Sequence, residues 1–168
     1  MNISYTYDDL ITLTLTDYFF PGLNTGDKDK YFEYGSDETG HVFEGIIQYN
    51  GTEKIPVSLL FAMNIYGNDA RKSDGSLFYS KYLELGYTKT ISDSEINPFL
   101  GLSLDNPDET KGESSYYLNE KPGIINLGMA LSKSVKITES FALPLHFSII
   151  TNPDLNKVYL VGGFSLSL

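Results

Sequence analysis

Residues 125–132 have the sequence Ile-Asn-Leu-Gly-Met-Ala-Leu-Ser, in which each large apolar side chain is followed by a small or polar one. Successive side chains of a β-strand point to opposite faces of a sheet, so this period of two predicts a strand. A helix would instead repeat its apolar residues every three or four positions. The stretch therefore predicts an extended segment with one apolar and one polar face.

The same alternation recurs along most of the chain, and no stretch of useful length has a helical period. It predicts about eight complete strands plus a partial N-terminal one, at residues 2–7, 11–16, 42–49, 57–65, 79–87, 95–104, 124–132, 141–149 and 158–168. Pro98 and Pro144 lie inside two of these strands, where the missing N–H predicts a bulge or kink. We expect residues 1–168 to form a single all-β domain.

The predicted connections alternate between short and long segments almost throughout the chain. Their approximate spans are 8–9, 19–40, 50–55, 67–76, 89–93, 105–122, 134–140 and 151–156. The short ones contain turn-forming residues, including Asn50-Gly51, a pair favoured in two-residue hairpins. Transmembrane barrels have short turns on the periplasmic side and long loops outside, whereas a soluble sandwich has no reason to sort its loops by length.

The polar faces of the predicted strands are rich in Gly, Ser, Thr and Asn, and their mid-strand charges are few and mostly Glu. A face in contact with bulk water normally carries more charge. Tyr and Phe occur at both ends of the strands, as in the aromatic girdles of membrane barrels. These features predict an antiparallel up-and-down transmembrane β-barrel, with its apolar face against lipid and its polar face around a lumen.

Composition excludes several other classes of protein. The formal net charge is −10, from 12 Lys and Arg against 22 Asp and Glu, so a basic nucleic-acid-binding face is not expected. The chain has no Cys, which excludes disulfides, thiolate metal sites and cysteine nucleophiles. No apolar run approaches the roughly 20 residues of a membrane-spanning helix.

Closure of the barrel sets a further expectation. In a bilayer every backbone amide needs an internal partner, so a spanning sheet has to close. Bacterial single-chain barrels contain an even number of strands, and eight strands with part of a ninth do not close comfortably. Met1–Tyr7 lacks the charged start, apolar stretch and cleavage site of a signal peptide. We therefore expect a signal peptide and further strands upstream.

Several segments, in this order along the chain, resemble the TorF-type porins of the Bacteroidota. They are Asp17–Gly22, Thr39–Gly45, Tyr79–Tyr87, Ile125–Lys133, Val135–Leu145 and Val161–Leu168. The resemblance implies an outer-membrane barrel of roughly twelve strands, of which this chain is the C-terminal portion. In that family a signal peptide and about three further strands normally come first.

Candidate functional residues lie on the predicted polar face, facing the lumen. They are Glu44, Glu84, Glu95, Tyr82, Asn97, Asn126 and His146. One interpretation is a lumen selective for cations or polar solutes, with the amides and the phenol bonded to the carboxylates. The other is that the carboxylates pair with Lys or Tyr of other strands and fill a narrow interior.

Catalytic, metal and cofactor sites are not predicted. His146 could pair with a serine in a lipid hydrolase, but no Gly-x-Ser-x-Gly motif marks a nucleophile, so the chain is not expected to be an enzyme. Acidic segments at 27–38 and 105–109 lack a calcium-loop spacing, and we expect them to be solvated. His41 follows a loop and is expected to be structural.

The sequence thus predicts a porin or small-solute diffusion channel in the outer membrane of a Gram-negative bacterium. Its expected partners are outer-membrane lipid and lipopolysaccharide, small polar solutes, and barrel-assembly machinery that recognises the amphipathic C-terminal strand. Two alternatives stay open. One is a filled barrel acting as a surface anchor or binding protein. The other is a soluble lipid-carrier barrel in which Leu59, Leu83 and Leu143 point into the cavity.

Overall fold

The computed structural model describes residues 1–22, 30–36 and 38–166. These residues form ten strands: β1 (Asn2–Tyr7), β2 (Ile11–Phe19), β3 (His41–Tyr49), β4 (Val57–Gly67), β5 (Lys81–Tyr87), β6 (Lys89–Ile91), β7 (Ser94–Ser103), β8 (Gly123–Lys136), β9 (Ala142–Asn152) and β10 (Lys157–Phe164). The helical content of the described ranges is one short 3-10 turn, Glu109–Lys111. The prediction of an all-β chain is confirmed.

All ten strands belong to one antiparallel sheet, in which neighbours along the chain are neighbours in space. Strands β5 and β6 both pair with β7, so they are two halves of one interrupted span and the sheet has nine spans. The predicted connection at 89–93 is therefore partly wrong. Its first three residues are β6, which leaves a turn at 92–93.

Proline explains where that span is interrupted. Pairing between β5 and β7 ends at Gly86 and Phe99, and pairing between β6 and β7 starts at Lys89 and Ile96. Pro98 lies in the gap on β7, where its missing N–H leaves the ladder without a donor. The register shifts of the sheet occur elsewhere, at Phe43/Glu44 and Gly101/Leu102. The irregularity predicted at Pro98 is thus not a bulge in β7 itself. It is the gap between β5 and β6, the two strands that pair with β7.

Pro144 disturbs the sheet less than predicted. It pairs with Ser134 of β8 without a register shift. On its other side the Pro144 carbonyl accepts a hydrogen bond from Ser165 N at 3.1 Å, just beyond the last residue of β10. Residues 167 and 168, which carry the predicted alternation to the C-terminus, lie outside the described residues.

Except for the connection between β9 and β10, the connections are sorted by length, as predicted. Short connections at 8–10, 50–56, 92–93 and 137–141 lie at one end of the sheet, called here the turn end. The other end, called the loop end, carries loop A (20–40), loop B (68–80) and loop C (104–122), together with the four-residue turn 153–156. The consecutive antiparallel order sends alternate connections to opposite ends, and the alternation of long and short segments in the sequence then places the three long loops at one end.

Asn50-Gly51 does not form the two-residue hairpin turn that the pair favours. The chain reverses after it, where Thr52 N donates to Ile55 O at 2.8 Å. The Asn50 side chain instead donates to Asp9 O at 3.1 Å and so joins two adjacent connections at the turn end.

The register brings the alternating apolar residues of all spans onto one face, and this apolar face is the exposed one. Leu15, Leu85 and Ile149 are 45%, 50% and 44% exposed. The polar face is covered towards the loop end, where Asn64 and Ser103 are 2% and 0% exposed, and it is exposed on β1 and β10. Among described residues, the buried apolar side chains are few: Val42, Ala62, Phe78 and Ile125.

Leu59, Leu83 and Leu143, the residues that would line the cavity of an inverted barrel, all lie on the apolar face. Leu59 is 45% exposed. This placement disfavours the soluble lipid-carrier alternative. In the part of the chain that the structure describes, no helix is long and apolar enough to cross a bilayer.

The described sheet is open. Strand β1 pairs only with β2 and strand β10 only with β9, so these two strands are the edges and no ladder joins them. The antiparallel meander is therefore established, and the closed barrel remains a proposal.

Candidate functional site

All predicted lumen-facing residues share the polar face, but the structure divides them between the two ends. Glu44, Tyr82, Glu84 and Asn126 lie towards the loop end and are half-buried. Glu95 and His146 lie towards the turn end and are exposed. Asn97 lies between the two groups, where its Nδ2 donates to Thr88 Oγ1 at 2.8 Å.

Tyr82 is the centre of the first group. Its hydroxyl donates to Glu84 Oε2, two residues along the same strand, at 2.5 Å. The same hydroxyl accepts a hydrogen bond from Asn126 Nδ2 on β8 at 2.9 Å. Glu84 and Asn126 belong to strands separated by β7, so the phenol connects β5 to β8 across β7 on the polar face. The predicted bonding of the carboxylate by Tyr82 and Asn126 is present at Glu84.

Gly101 makes this bridge possible. It lies on β7 between the two partner strands, and a Cβ atom there would be 1.9 Å from the Tyr82 hydroxyl oxygen. Phe99 of β7 lies over Gly128 of β8 in the same way. A Cβ atom at Gly128 would be 2.6 Å from the Phe99 ring. Both aromatic rings therefore lie along the sheet over a neighbouring glycine, and neither projects straight out from it.

Glu44 is held separately, by Tyr18 of the adjacent strand, whose hydroxyl donates to Glu44 Oε2 at 3.2 Å. Within the described ranges, no ion pair involves Glu44, Glu84 or Glu95. Hydrogen bonds from tyrosine and asparagine thus hold two carboxylates in place without neutralising them. The alternative interpretation expected pairing with Lys or Tyr of other strands. Its tyrosine part is confirmed at Glu44, which Tyr18 of β2 contacts, and its lysine part finds no ion pair in the described residues.

Loop C folds over this part of the polar face. The ring of Tyr117 lies 6.0 Å from that of Tyr82, and the Tyr116 ring packs edge-on against Tyr117 at 5.4 Å. Burial, and next the negative charge of Glu44, raise the pKa of Tyr116 to about 12. The same two causes raise the pKa of Tyr117 well above its ordinary value. Two neutral phenols of loop C therefore lie within electrostatic range of a carboxylate on β3.

A buried carboxylate fixes loop C in this position. Asp105 is 0% exposed, and its Oδ1 accepts a hydrogen bond from Lys81 N at 2.9 Å. Its Oδ2 lies 3.0 Å from Ser115 Oγ, which donates to it. Asn119 Nδ2 closes the loop by donating to Asp105 O at 3.1 Å. The expectation that the acidic segment 105–109 is solvated is therefore wrong for Asp105, which is a structural anchor.

Loop B has an equivalent anchor in Asp69, which is 6% exposed. Its two oxygens accept hydrogen bonds from Asn64 Nδ2 and from Ser80 N, each at 3.0 Å. Asp69 and Asp105 therefore bond to the amides of consecutive residues, Ser80 and Lys81, just before and at the start of β5. Two loops are held to one strand by carboxylates that substitute for backbone acceptors.

The long loops are also joined to one another. Glu113 of loop C accepts hydrogen bonds from Ser73 N of loop B and from Asp108 N, each at 3.0 Å. These backbone bonds hold the pKa of the Glu113 carboxyl below its ordinary value. Arg71 Nη2 of loop B donates to Ser36 O of loop A at 2.7 Å. Loop A also carries the acidic residues at 27, 29 and 37, which lie outside the described residues.

His41 anchors loop A, in line with its predicted structural role. Its ring is 0% exposed; Nδ1 lies 2.6 Å from Asp17 Oδ1, and Nε2 lies 2.6 Å from Tyr31 O. Both ring nitrogens therefore face oxygen atoms of loop A or of the neighbouring strand. The rings of Tyr34 and Phe19 pack on it at 4.6 and 4.8 Å.

His146 has a different environment at the turn end. Its Nδ1 lies 3.1 Å from Ser132 Oγ and its Nε2 lies 3.3 Å from Ser165 Oγ. A serine beside a histidine is half of a nucleophilic pair, but the second nitrogen would need a carboxylate or a comparable group to orient the ring. Here that nitrogen contacts a hydroxyl, and the arrangement supports no catalytic assignment.

Sequence reasoning located the polar face but missed Tyr18, Tyr116 and Tyr117. The adjacent tyrosines in an otherwise polar loop were the available signal. Among the described residues, no group of three or more His, Asp or Glu side chains is arranged to hold a metal ion. Comparison with protein-family models, curated proteins and solved structures gave no match to this chain. Its likeness to TorF-type porins stays a prediction.

Proposed function

We propose that this chain is part of an outer-membrane β-barrel of a Gram-negative bacterium, through which small polar solutes diffuse. The observation that carries the proposal is the apolar face, on which large side chains such as Leu15, Leu85 and Ile149 are exposed, while the polar face is buried towards the loop end. A soluble sheet buries its apolar face. In a bilayer this face contacts hydrocarbon, and the proposal places the loop end on the lipopolysaccharide side.

Strand lengths support a membrane location. A transmembrane β-strand needs about 9–11 residues. Strands β2 and β3 have 9 residues, β7 has 10, and β4 and β9 have 11. Each of these strands is therefore long enough to cross the hydrocarbon region of a bilayer. In the same proposal the amphipathic β10 is the strand that barrel-assembly machinery recognises.

The charge of the polar face favours cations. The charged side chains in the interior of the described strands on this face are Glu44, Glu84 and Glu95. Lys136 and Lys157 also lie on this face, as the last residue of β8 and the first residue of β10. A ring or cluster of carboxylates around a lumen raises the local concentration of cations and lowers that of anions. We propose cation preference for the channel.

Loop C would narrow the lumen at the level of Glu84. Tyr117 contacts Tyr82 there, and Tyr116 extends the aromatic surface towards Glu44. Since Asp105 and Asn119 fix the loop, the constriction is part of the resting structure. We therefore propose passage of small solutes only.

The alternative, a filled barrel that anchors or presents the loops, needs large side chains that meet across the interior. Tyr82 and Phe99 instead lie flat over Gly101 and Gly128. Within the described residues, no ring contact joins Tyr82, Phe99 and Tyr159 to one another. Rings that lie along the wall leave the interior free, which favours the channel.

Membrane partition and conductance test the proposal. The native protein should sediment with outer membranes and need detergent for extraction. Purified barrels in planar bilayers should show single-channel currents. In a KCl gradient, their reversal potential should be shifted towards the equilibrium potential of K⁺. The double variant Glu44→Gln with Glu84→Gln should lose most of that selectivity, because both uncompensated charges are removed.

The matched control is Glu109→Gln, which removes one charge from the exposed 3-10 turn of loop C. It should change selectivity little. Recovery in the soluble fraction without detergent would reject the membrane location. Folded protein in the membrane with no current above background would instead favour the filled barrel.

A further inference from the structure

The last residue of loop B is a serine whose hydroxyl is buried without a hydrogen-bond partner. Ser80 is 0% exposed, and its Oγ is the only buried side-chain nitrogen or oxygen atom of the described residues that makes no hydrogen bond. Buried polar atoms in proteins are almost always bonded to protein, to ordered water or to an ion. The groups around Ser80 therefore indicate what this hydroxyl binds.

Two buried carboxylates are held by the amides on either side of the Ser80 side chain. Ser80 N donates to Asp69 Oδ2 at 3.0 Å, and Lys81 N donates to Asp105 Oδ1 at 2.9 Å. These two amides flank the Cα atom of Ser80, and the two aspartates are only 6% and 0% exposed. The Ser80 side chain therefore branches from the backbone between two buried carboxylates.

The three side chains also lie on the same side of the sheet. Ser80 precedes Tyr82 by two residues and Asp105 follows Ser103 by two, and Tyr82 and Ser103 are register partners on the polar face. Side chains two residues apart in an extended chain share a face. Asp69 bonds to the side chain of a polar-face asparagine of β4 at 3.0 Å. The serine hydroxyl and both carboxylates thus face the space that loops B and C cover.

The negative charge in this space is not balanced by a side chain. Within the described ranges, no ion pair includes Asp69 or Asp105. The ammonium of the neighbouring Lys81 lies instead over the Phe78 ring, 6.0 Å from its centre. Burial raises the pKa of Tyr117 in loop C, and the charges of both aspartates are among those that raise it further. Buried charges in proteins are usually paired or coordinate a metal ion.

The oxygen atoms around Ser80 have lone pairs left for a cation. An ionised carboxylate has about four acceptor sites. Asp69 and Asp105 each accept two side-chain hydrogen bonds from the described residues, so each has acceptor sites to spare. The Ser80 hydroxyl adds a neutral oxygen. Carboxylate and other hard oxygen atoms are the ligands that Ca²⁺ takes in proteins.

We propose that Ser80, Asp69 and Asp105 hold one Ca²⁺ ion between loops B and C. The two carboxylates neutralise a divalent ion, and the Ser80 hydroxyl gains a partner. Mg²⁺ fits less well, because it keeps several of its water molecules and these residues are fully or almost fully buried. The site has two carboxylates, in agreement with the lack of any group of three acidic or His side chains in the described ranges. It does not depend on the proposed channel.

Isothermal titration calorimetry of the full protein in detergent, freed of metal with EDTA, tests the proposal. Ca²⁺ should bind at one ion per chain, and Mg²⁺ should bind more weakly. Asp69→Asn and Asp105→Asn should each weaken Ca²⁺ binding about tenfold or more, because each removes one charge from the ligands. No Ca²⁺ binding to the folded protein would overturn the proposal and assign Ser80 Oγ to ordered water. Equal affinity for Mg²⁺ would reject Ca²⁺ as the ion.

Ser80→Ala is the sharpest variant, because its hydroxyl has no hydrogen bond to lose within the described residues. Without metal, it should be as stable as the unmodified protein or slightly more stable, since a buried unsatisfied group is removed. It should bind Ca²⁺ several-fold more weakly, and Ca²⁺ should raise its melting temperature less. Unchanged Ca²⁺ affinity in Ser80→Ala would overturn the proposal, even if the two aspartate variants fail to fold.

Glu113→Gln is the matched control. Glu113 also joins loop B to loop C, through Ser73 N and Asp108 N, but its bonds involve neither Ser80 nor the two aspartate side chains. This variant should bind Ca²⁺ with unchanged affinity although it weakens the contact between the same loops. Loss of Ca²⁺ binding in Glu113→Gln would assign the binding to the order of the loops and reject Ser80 as a ligand.

Discussion

The polar side chains at the loop end of this sheet and those at its turn end differ in their burial and in their hydrogen-bond partners. At the loop end, Asp69 and Asp105 are buried and accept hydrogen bonds from backbone amides. At the turn end, His146 contacts two serine hydroxyls and Glu95 has no ion pair within the described ranges; both residues are exposed. The long loops create this difference, because they cover one end of the polar face and not the other.

The chain's two histidines make the comparison most directly. His41→Ala should destabilise the fold by about 3 kcal/mol, because it leaves Asp17 without its partner and opens a cavity among aromatic rings. His146→Ala should change stability by less than about 0.5 kcal/mol, since its partners are exposed hydroxyls. Urea unfolding in detergent, followed by circular dichroism, measures both. Equal effects would contradict the contrast between the two ends.

Removal of the loop C anchor should be the next largest effect. Asp105→Ala leaves Lys81 N and Ser115 Oγ without their acceptor, at a cost of about 2 kcal/mol. Limited proteolysis should cut loop C faster, and single-channel conductance should rise as Tyr117 leaves Tyr82. Glu109→Ala, a change to an exposed carboxylate in the same loop, is the control. Equal rates of loop C cleavage in Asp105→Ala and Glu109→Ala would argue against Asp105 as the anchor.

Two glycines, Gly101 beside Tyr82 and Gly163 at the turn end, compare how tightly the two regions are packed. Gly101→Ala should displace Tyr82 and cost about 1–3 kcal/mol, because the new methyl group overlaps the phenol. Gly163→Ala at the turn end meets nothing within 4 Å and should be neutral within about 0.5 kcal/mol. Thermal unfolding compares the stabilities of the two variants. Loss of cation selectivity in Gly101→Ala but not in Gly163→Ala would connect Tyr82 to the constriction.

The smallest effect concerns pH. Because its folded pKa is depressed, Glu113 stabilises the link between loops B and C above the unfolded value of about 4.3 and loses that contribution as pH falls below it. Hydrogen exchange at Ser73 N and Asp108 N should therefore accelerate locally below about pH 4, with the strands unaffected. Glu113→Gln should remove this pH dependence. Acceleration that persists in the variant would assign it to another group.

Much of the fold could be predicted from the sequence, because strand alternation is a local property. Leu127 and Leu131 share a face in any β-strand, whatever surrounds it. The sorting of long and short connections was likewise visible in residue composition. The bulges at Phe43/Glu44 and Gly101/Leu102 were not, since a register shift depends on the pairing of two strands and not on either one alone.

The candidate site was predicted only in part. Glu84 and Tyr82 are two residues apart on one strand, so their shared face followed from the sequence. Their link to Asn126 required a glycine on the intervening strand, and the contact of Tyr117 required loop C to fold back over β5. Such contacts join residues far apart in the chain, and alternation carries no information about them.

The sequence alone determined that the chain is extended, that each strand has two chemically different faces, and that long and short connections alternate up to the last one. Those properties depend on nearest neighbours and on the geometry of the backbone. The tertiary structure decided which face is covered at the loop end and which carboxylates are buried by the loops. These outcomes depend on strand pairing and on loops that fold across the sheet, so they arise only when distant segments meet.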